Sequence, residues 1–238
     1  MEYEQWKKIY GKIIDDLHID KRKDETAAEI LNHLMDTYRT HLVEISFLQR
    51  LIEGNTVFVF GAAPSLDNEI KKYKDIFENN VCIAADGATT ALLKHDIIPD
   101  VIVTDLDGVI ADQISANKKK SILIIHAHAD NIDVIQKVIP TVKEKMLGTI
   151  QSNPSELQYV KNFGGFTDGD RAVFFADYFH PKEIILVGFD CTAKPGFYSF
   201  QHQKDYNNQK VKRKKLAWCD HLLNQFSKNY VFHITNRK

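Results

Sequence analysis

Over the first fifty or so positions the apolar residues recur every three or four places, and from Thr56 they gather into short unbroken runs. The first rhythm is that of amphipathic helices. Trp6, Ile9, Tyr10, Ile13, Ile14 and Leu17 form one stripe, and a charged break from Asp20 to Asp24 follows it. Thr26 with Glu29 predicts a capping box that opens a second, long helix. Its stripe is Leu31, Leu34, Met35, Tyr38, Leu42, Ile45, Leu48 and Ile52, with a stop at Gly54-Asn55. Such a face needs a partner. The sheet of the same chain is expected ahead of another subunit.

The second rhythm is that of a parallel sheet, with apolar and β-branched runs alternating with helices. Thr56–Phe60 leads into Gly61-Ala62-Ala63-Pro64-Ser65, Val81–Ala85 into Asp86-Gly87-Ala88, and Val101–Thr104 into Asp105-Leu106-Asp107-Gly108. Ile122–Ile125 leads into His126-Ala127-His128-Ala129-Asp130-Asn131, and Ile184–Val187 into Gly188-Phe189-Asp190. Tyr230–Ile234 adds a last strand. The expected class is α/β, a doubly wound, mostly parallel Rossmann-like sheet. It occupies residues 55–238, C-terminal lid and helix included, behind an N-terminal helical segment over 1–54. Right-handed crossovers put the strand exits on one edge, so their glycines, aspartates and histidines converge on one crevice.

Asp105 and Asp107 are the strongest chemical signal. Two carboxylates at i and i+2 of an extended segment share a side and repel, which a cation or a shared proton relieves. With Mg²⁺ there, the crevice becomes a phosphate site, because that ion completes its shell with phosphate oxygens and water. The Gly61–Ser65 turn can offer amides to a phosphate, and reads equally as a plain strand-to-helix turn. Asp86 reads equally as a ligand contact and as a helix cap. His126 and His128 with Asp130 have metal-ligand spacing. A hard cation prefers oxygen, so the histidines are expected to orient neighbours or contact phosphate, with His126 satisfied in the core.

A second dense stretch is Asn162-Phe163-Gly164-Gly165-Phe166-Thr167-Asp168-Gly169-Asp170-Arg171, ahead of the apolar helix Ala172–Phe179. Thr167 or Asp168 can cap that helix, and Arg171 suits phosphate. Thr192–Asn208 has the length of a lid. The final helix opens on Lys210, Lys212, Arg213, Lys214 and Lys215, a solvated face from which one or two lysines can reach phosphate. Its apolar side includes Leu216, Trp218 and Leu222.

Composition narrows the classes. A formal net charge of −1 argues against a nucleic-acid or anionic-membrane footprint and leaves room for a local basic patch. No apolar run is long enough to span a bilayer, and the acidic, polar start is no signal peptide. Cys82, Cys191 and Cys219 lack a metal pattern and read as reduced thiols of a cytoplasmic protein. A homo-oligomer is compatible with all of this.

Three resemblances bear on Asp105-Leu106-Asp107. With its neighbours it is similar to the first motif of haloacid-dehalogenase phosphohydrolases, although two strands precede it here. It is also similar to the Asp-x-Asp of nucleotide-sugar glycosyltransferases. The widest resemblance takes in Gly61–Leu66, Asp86-Gly87-Ala88, Pro99–Gly108, His126–Asn131 and Asn162–Arg171 in that order. Over about residues 56–191 the chain resembles the archaeal-type 6-hydroxymethyl-7,8-dihydropterin pyrophosphokinases of the thiamin pyrophosphokinase-like superfamily. Ala63 and Ala129 stand where that pattern has glycine.

This resemblance implies Mg²⁺-dependent transfer of diphosphate from ATP to a small pterin, with AMP released, in folate- or methanopterin-type cofactor synthesis. It implies Asp105 and Asp107 as metal ligands, with Asp86, Asp130, Asp168 or Asp170 supporting the metal–phosphate network. The phosphate-side candidates are Gly61, Ala62, Ala63, Pro64, Ser65, Gly87, Thr104, His128, Asn131, Gly165, Thr167 and Arg171. Phe166 and Tyr198 are the candidate aromatic platforms for the pterin.

Overall fold

The computed structural model describes Met1 and residues 3–191, 195–199, 209–226 and 230–236, so most of the expected lid lies outside the described residues. Three helices come first: α1 (Tyr3–Leu17), α2 (Lys21–Thr37) and α3 (Ile45–Ile52). Then strands and helices alternate: β1 (Thr56–Phe60), α4 (Leu66–Tyr73), β2 (Val81–Ala85), α5 (Ala88–Lys94), β3 (Val101–Thr104), α6 (Ile110–Lys118), β4 (Ile122–Ala127) and α7 (Ile132–Val138). β5 (Met146–Ile150), β6 (Val160–Lys161), α8 (Asp168–Tyr178), β7 (Glu183–Val187), α9 (Gln209–Phe226) and β8 (Val231–His233) follow.

One eight-stranded sheet runs β6-β5-β4-β3-β2-β1-β7-β8, and every pairing is parallel. Strand order climbs outward from β1 to β6, then returns to the other side of β1 for β7. The topological switch therefore lies beside β1, and the connections cover both faces. Period-two alternation divides the core between them. Phe58 and Phe60, Ala84, Ile102, Leu123 and Ile125 point into the layer of α2, α4, α5, α6 and α7. Val57, Val59, Ile83, Val103 and Ile124 point into the layer of α3, α8 and α9.

The N-terminal segment differs from its expected form. α2 starts earlier, capped by Asp20, whose carboxylate accepts from the amides of Arg22 (3.0 Å) and Lys23 (3.3 Å). The Thr26 hydroxyl instead bonds back to the Arg22 carbonyl. The single long helix is two. The chain straightens at Leu42, and the Val43 amide donates to the Met146 carbonyl at 2.9 Å. Leu31 and Met35 serve one face of the sheet, Leu48 and Ile52 the other. The crossing beneath β5 is what breaks the helix. α1 forms an outer layer, with Trp6, Ile9, Tyr10 and Ile13 packed on Phe166, Phe174 and Leu222. Each such fully buried apolar side chain contributes about 1.5–3 kcal/mol. Among the described residues no helix is long and apolar enough to cross a membrane.

Candidate active site

The carboxyl ends of the strands open on a cleft of about 400 Å³. At its centre Asp86, Asp105, Asp107 and Asp168 each offer a carboxylate oxygen, all within 4.8 Å of one another. The backbone that aims them is strained: Asp86 (φ 38°) and Leu106 (φ 65°) are both left-handed without being glycine. The segment from Asp105 to Asp107 is therefore a turn, not the extended run expected from sequence. Leu106 is held in it by burial and by its amide donating to Thr104 Oγ1 at 2.8 Å. Gly108 is required by close approach, since a Cβ there would lie 2.3 Å from Asp86 Oδ2.

Each acid has its own support. Asp86 accepts from Thr104 Oγ1 (2.6 Å) and Gln113 Nε2 (2.7 Å). Asp105 faces His128 Nε2 at 3.2 Å. His128 Nδ1 accepts the Asp130 amide at 3.3 Å, so Nε2 is the nitrogen that donates. Asn131 fixes this corner, donating to the carbonyls of Asp105 (2.7 Å) and His126 (2.8 Å) and accepting the His128 amide (2.9 Å). Arg171 donates to Asp168 Oδ1 through one arm and to Gln151 Oε1 through the other, both at 3.2 Å.

The electrostatics follow from this crowding. Burial, then the Asp105 charge, raises the carboxyls of Asp86 and Asp168. Loss of solvent around it, then the charges of Asp105, Asp86 and Asp168, push Asp107 up to about 10, although its tip opens to the cleft. Burial acts on Asp105 in the same sense, but the hydrogen bond from His128 and the charges of Arg171 and Lys215 overcome it and hold that carboxyl well below its usual range. Four converging acids, three of them reluctant to ionise, fit a hard divalent cation.

The other candidates fall into two groups. Gly61, Ala62, Ala63, Gly87, His128, Asp130, Phe166, Thr167 and Tyr198 line the cleft. Pro64, Ser65, Thr104, Asn131 and Gly165 do not line it. The Gly61–Ser65 turn is a poorer phosphate cradle than expected, because the Gly61 and Ala63 amides donate to the carbonyls of Val187 and Gly188, both at 2.9 Å. Neither Ala63 nor Ala129 has a positive φ, so alanine costs nothing in conformation there. Among the described residues His126 and His128 join no metal cluster. His126 is buried in β4 with Nδ1 on Thr149 Oγ1 at 3.1 Å, and its Nε2 has no partner among the described residues.

Asp170 is a correction. Its carboxylate accepts from the Phe166 amide (2.5 Å), the Thr167 amide (2.8 Å) and the Thr167 hydroxyl, which caps α8 and leaves it outside the cleft wall. Asp170→Ala should cost about 2–4 kcal/mol of stability in urea unfolding, as expected for stranding buried donors. A loss below ~0.5 kcal/mol, the range of surface changes, would contradict the cap.

Comparison with known proteins bears on this arrangement. A family model described as 6-hydroxymethylpterin diphosphokinase MptE-like matches residues 31–196. The chain belongs to this family. The 6-hydroxymethyl-7,8-dihydropterin pyrophosphokinase of Methanocaldococcus jannaschii is 40% identical over 232 residues, covering 94% of this chain and 95% of its own. Proteins of the same name from Pyrococcus furiosus (39% over 232 residues, 96% of both chains) and Methanothermobacter thermautotrophicus (37% over 235 residues, 96% and 97%) are similar throughout. Among solved structures, the MAf glycosyltransferase of Magnetospirillum magneticum AMB-1 aligns with a TM-score of 0.45 and 16% identity, over 69% of this chain and 28% of that one.

Membership of the diphosphokinase family makes the remaining cleft residues informative, and several of them escaped the sequence reading. Asp24, Gln151, Leu17, Ile19 and Phe189 all line the wall. Of the basic cluster, Lys212 and Lys215 face the cleft, whereas Lys214 pairs with Asp16 on α1 at 2.7 Å. The two aromatic candidates lie at opposite ends. Phe166 packs with α1, while the Tyr198 hydroxyl donates to Asp67 (3.1 Å) and accepts from Lys94 (3.2 Å) beside α4 and α5.

Proposed function

We propose that the protein transfers a diphosphate from ATP to the hydroxymethyl group of 6-hydroxymethyl-7,8-dihydropterin, releasing AMP. The observation that carries this reading is the convergence of Asp86, Asp105, Asp107 and Asp168 in the cleft of a chain whose full-length relatives bear that enzyme's name. The substrate hydroxyl oxygen forms a bond to the β-phosphorus and its proton passes to solvent, while the bond from that phosphorus to the oxygen bridging to the α-phosphorus breaks, that oxygen keeping the electron pair and leaving as part of AMP. Positioning and charge neutralisation supply most of the rate in such a transfer.

The four aspartates would hold Mg²⁺, which when bound neutralises polyphosphate charge. Arg171, Lys212 and Lys215 place cationic donors on the same space and suit the tail of ATP. Phe166, with Leu17 and Ile19, offers the flat apolar wall a pterin needs. The opposite end, lined by Gly61, Ala62, Ala63 and Gly196, receives the nucleoside. Dependence on ATP and three free cysteines suit the cytoplasm.

The test is chromatography of ATP breakdown products with and without 6-hydroxymethyl-7,8-dihydropterin. AMP and the pterin diphosphate should appear in equal amounts, only with both substrates and Mg²⁺. Release of inorganic phosphate alone, or no pterin diphosphate at all, would overturn the assignment.

A further inference from the structure

Asp24 lies at the start of α2, outside the stretch matched by the family model, yet only 2% exposed and in the cleft wall. Its Oδ1 accepts the Ala129 amide at 2.7 Å, and its Oδ2 accepts Gln151 Nε2 at 2.6 Å and the Tyr10 hydroxyl. Gln151, 3% exposed, then turns its only side-chain acceptor, Oε1, to Arg171. Trp6 Nε1 donates to the Gln151 carbonyl at 2.8 Å and anchors the backbone at that point. The buried Arg171 Nε–H has no partner among the described residues, so two contacts, Gln151 and Asp168, hold the guanidinium beside the acids.

We infer that Asp24 is a positioning residue, which sets the donor–acceptor direction of Gln151 so that Arg171 meets an acceptor and is held in the cleft for a phosphate group. The inference rests on the diphosphotransfer reading for the identity of that phosphate. The direction of every link is fixed by chemistry, because a carboxylate only accepts, a guanidinium only donates, and one amide must serve both.

Removing the charge alone reverses the relay. In Asp24→Asn, an oxygen kept toward Ala129 turns the new amide toward Gln151, which must flip and present its own NH₂ to Arg171. Turning the oxygen toward Gln151 instead sets the new amide against the Ala129 N–H. Either way two donors collide in a buried place. Asp24→Asn with Gln151→Glu restores the order, since a carboxylate in place of the Gln151 amide accepts from both the introduced NH₂ and Arg171. Gln151→Glu alone sets two buried carboxylates together and should also fail.

The experiment measures binding of inorganic pyrophosphate with Mg²⁺ by calorimetry, alongside kcat and KM for ATP, in the wild type, the two single variants and the double variant. Each single variant should bind pyrophosphate about 10- to 100-fold more weakly, the worth of one charge-assisted contact, and the double variant should return to within about fivefold of wild type. Melting temperatures separate this from damage to the fold, which would follow stability rather than the direction of the amide. If Asp24→Asn does not fold, Gln151→Met, which removes the acceptor, should give the same loss of pyrophosphate affinity. Wild-type affinity in either single variant or in Gln151→Met, or a double variant no better than the worse single, overturns the inference. A wild type that binds pyrophosphate in the expected pattern but makes no pterin diphosphate overturns the reaction and leaves the positioning role standing.

Discussion

Asp105→Asn and Asp107→Asn should each lower Mg²⁺-dependent AMP formation by roughly 10³-fold, in the range seen when a buried electrostatic element of a polar active site is removed. The two variants should part company in stability. Burial raises the Asp105 carboxyl, but the hydrogen bond from His128 and the charges of Arg171 and Lys215 outweigh it. Its folded-state value is depressed, so its ionised form stabilises the fold at neutral pH, and this contribution is lost as pH falls below the ordinary 3.8. Asp107 has the opposite sign. Its value is raised from 3.8 to about 10, so stability is greatest with the proton on and is lost as pH rises from 3.8 toward that value. In metal-free protein at pH 7.5, Asp105→Asn should therefore melt lower than wild type. Asp107→Asn should melt higher by roughly 2–4 °C, a gain kept small because the carboxylate opens to solvent. Scanning fluorimetry in a chelator checks both signs. Near-normal turnover in either variant would remove that aspartate from the centre, and a lowered melt for Asp107→Asn would show that its neighbours do not repel it.

Much of this centre was legible because local chemistry and global placement agree. Val101–Thr104 is β-branched and apolar without alternation, which fits only a strand buried on both faces, and the aspartates directly follow it. The same logic located the ends of β1, β2 and β7 and stopped β4 two residues early, at Ile125 instead of Ala127. It missed β5 because Gly148 and Thr149 dilute the run from Met146 to Ile150. Gly148 is there to admit α2, as a Cβ would stand 2.8 Å from Met35 Cγ. With β5 unseen, Gln151 at its exit was unseen too, although an apolar run ending in Gln151-Ser152 repeats the pattern of the other exits. β6, two residues long, has no hydrophobic signature at all. The break between α2 and α3 was hidden for another reason. The apolar stripe continues in phase while the face it serves changes, and sequence periodicity records phase only. Asp24 could not be found locally, since its partners Ala129 and Gln151 are 105 and 127 residues away. Asp168 and Asp170 looked alike because both open α8, and only the fold turns one to the cleft and the other to its own loop.

Binding of Mg²⁺ to the resting protein should release protons, and the apparent affinity should rise steeply with pH. Loss of solvent around it and three neighbouring acids push the Asp107 carboxyl up to about 10 although its tip opens to the cleft, and burial with the Asp105 charge raises Asp86 and Asp168 as well. A divalent cation reverses that balance, since the repulsion that retains the protons becomes attraction for the metal. Each proton displaced makes affinity grow about tenfold per pH unit wherever the free carboxyl is still protonated. Titration calorimetry at pH 6.5, 7.5 and 8.5, repeated in buffers of different ionisation enthalpy, counts the protons directly. At least one should leave at the lower pH, and Asp107→Asn should release fewer while binding more weakly. An affinity independent of pH with no proton release would mean the acids are already ionised and separated by solvent. The consequence for function is a sequence of charge changes. Carboxyls shifted upward would repel a polyphosphate less without a cation than with all four ionised, and a bound cation would draw them toward the charged form. Asp105, the one of the four acids whose carboxyl is lowered rather than raised, is the member that resists proton uptake most.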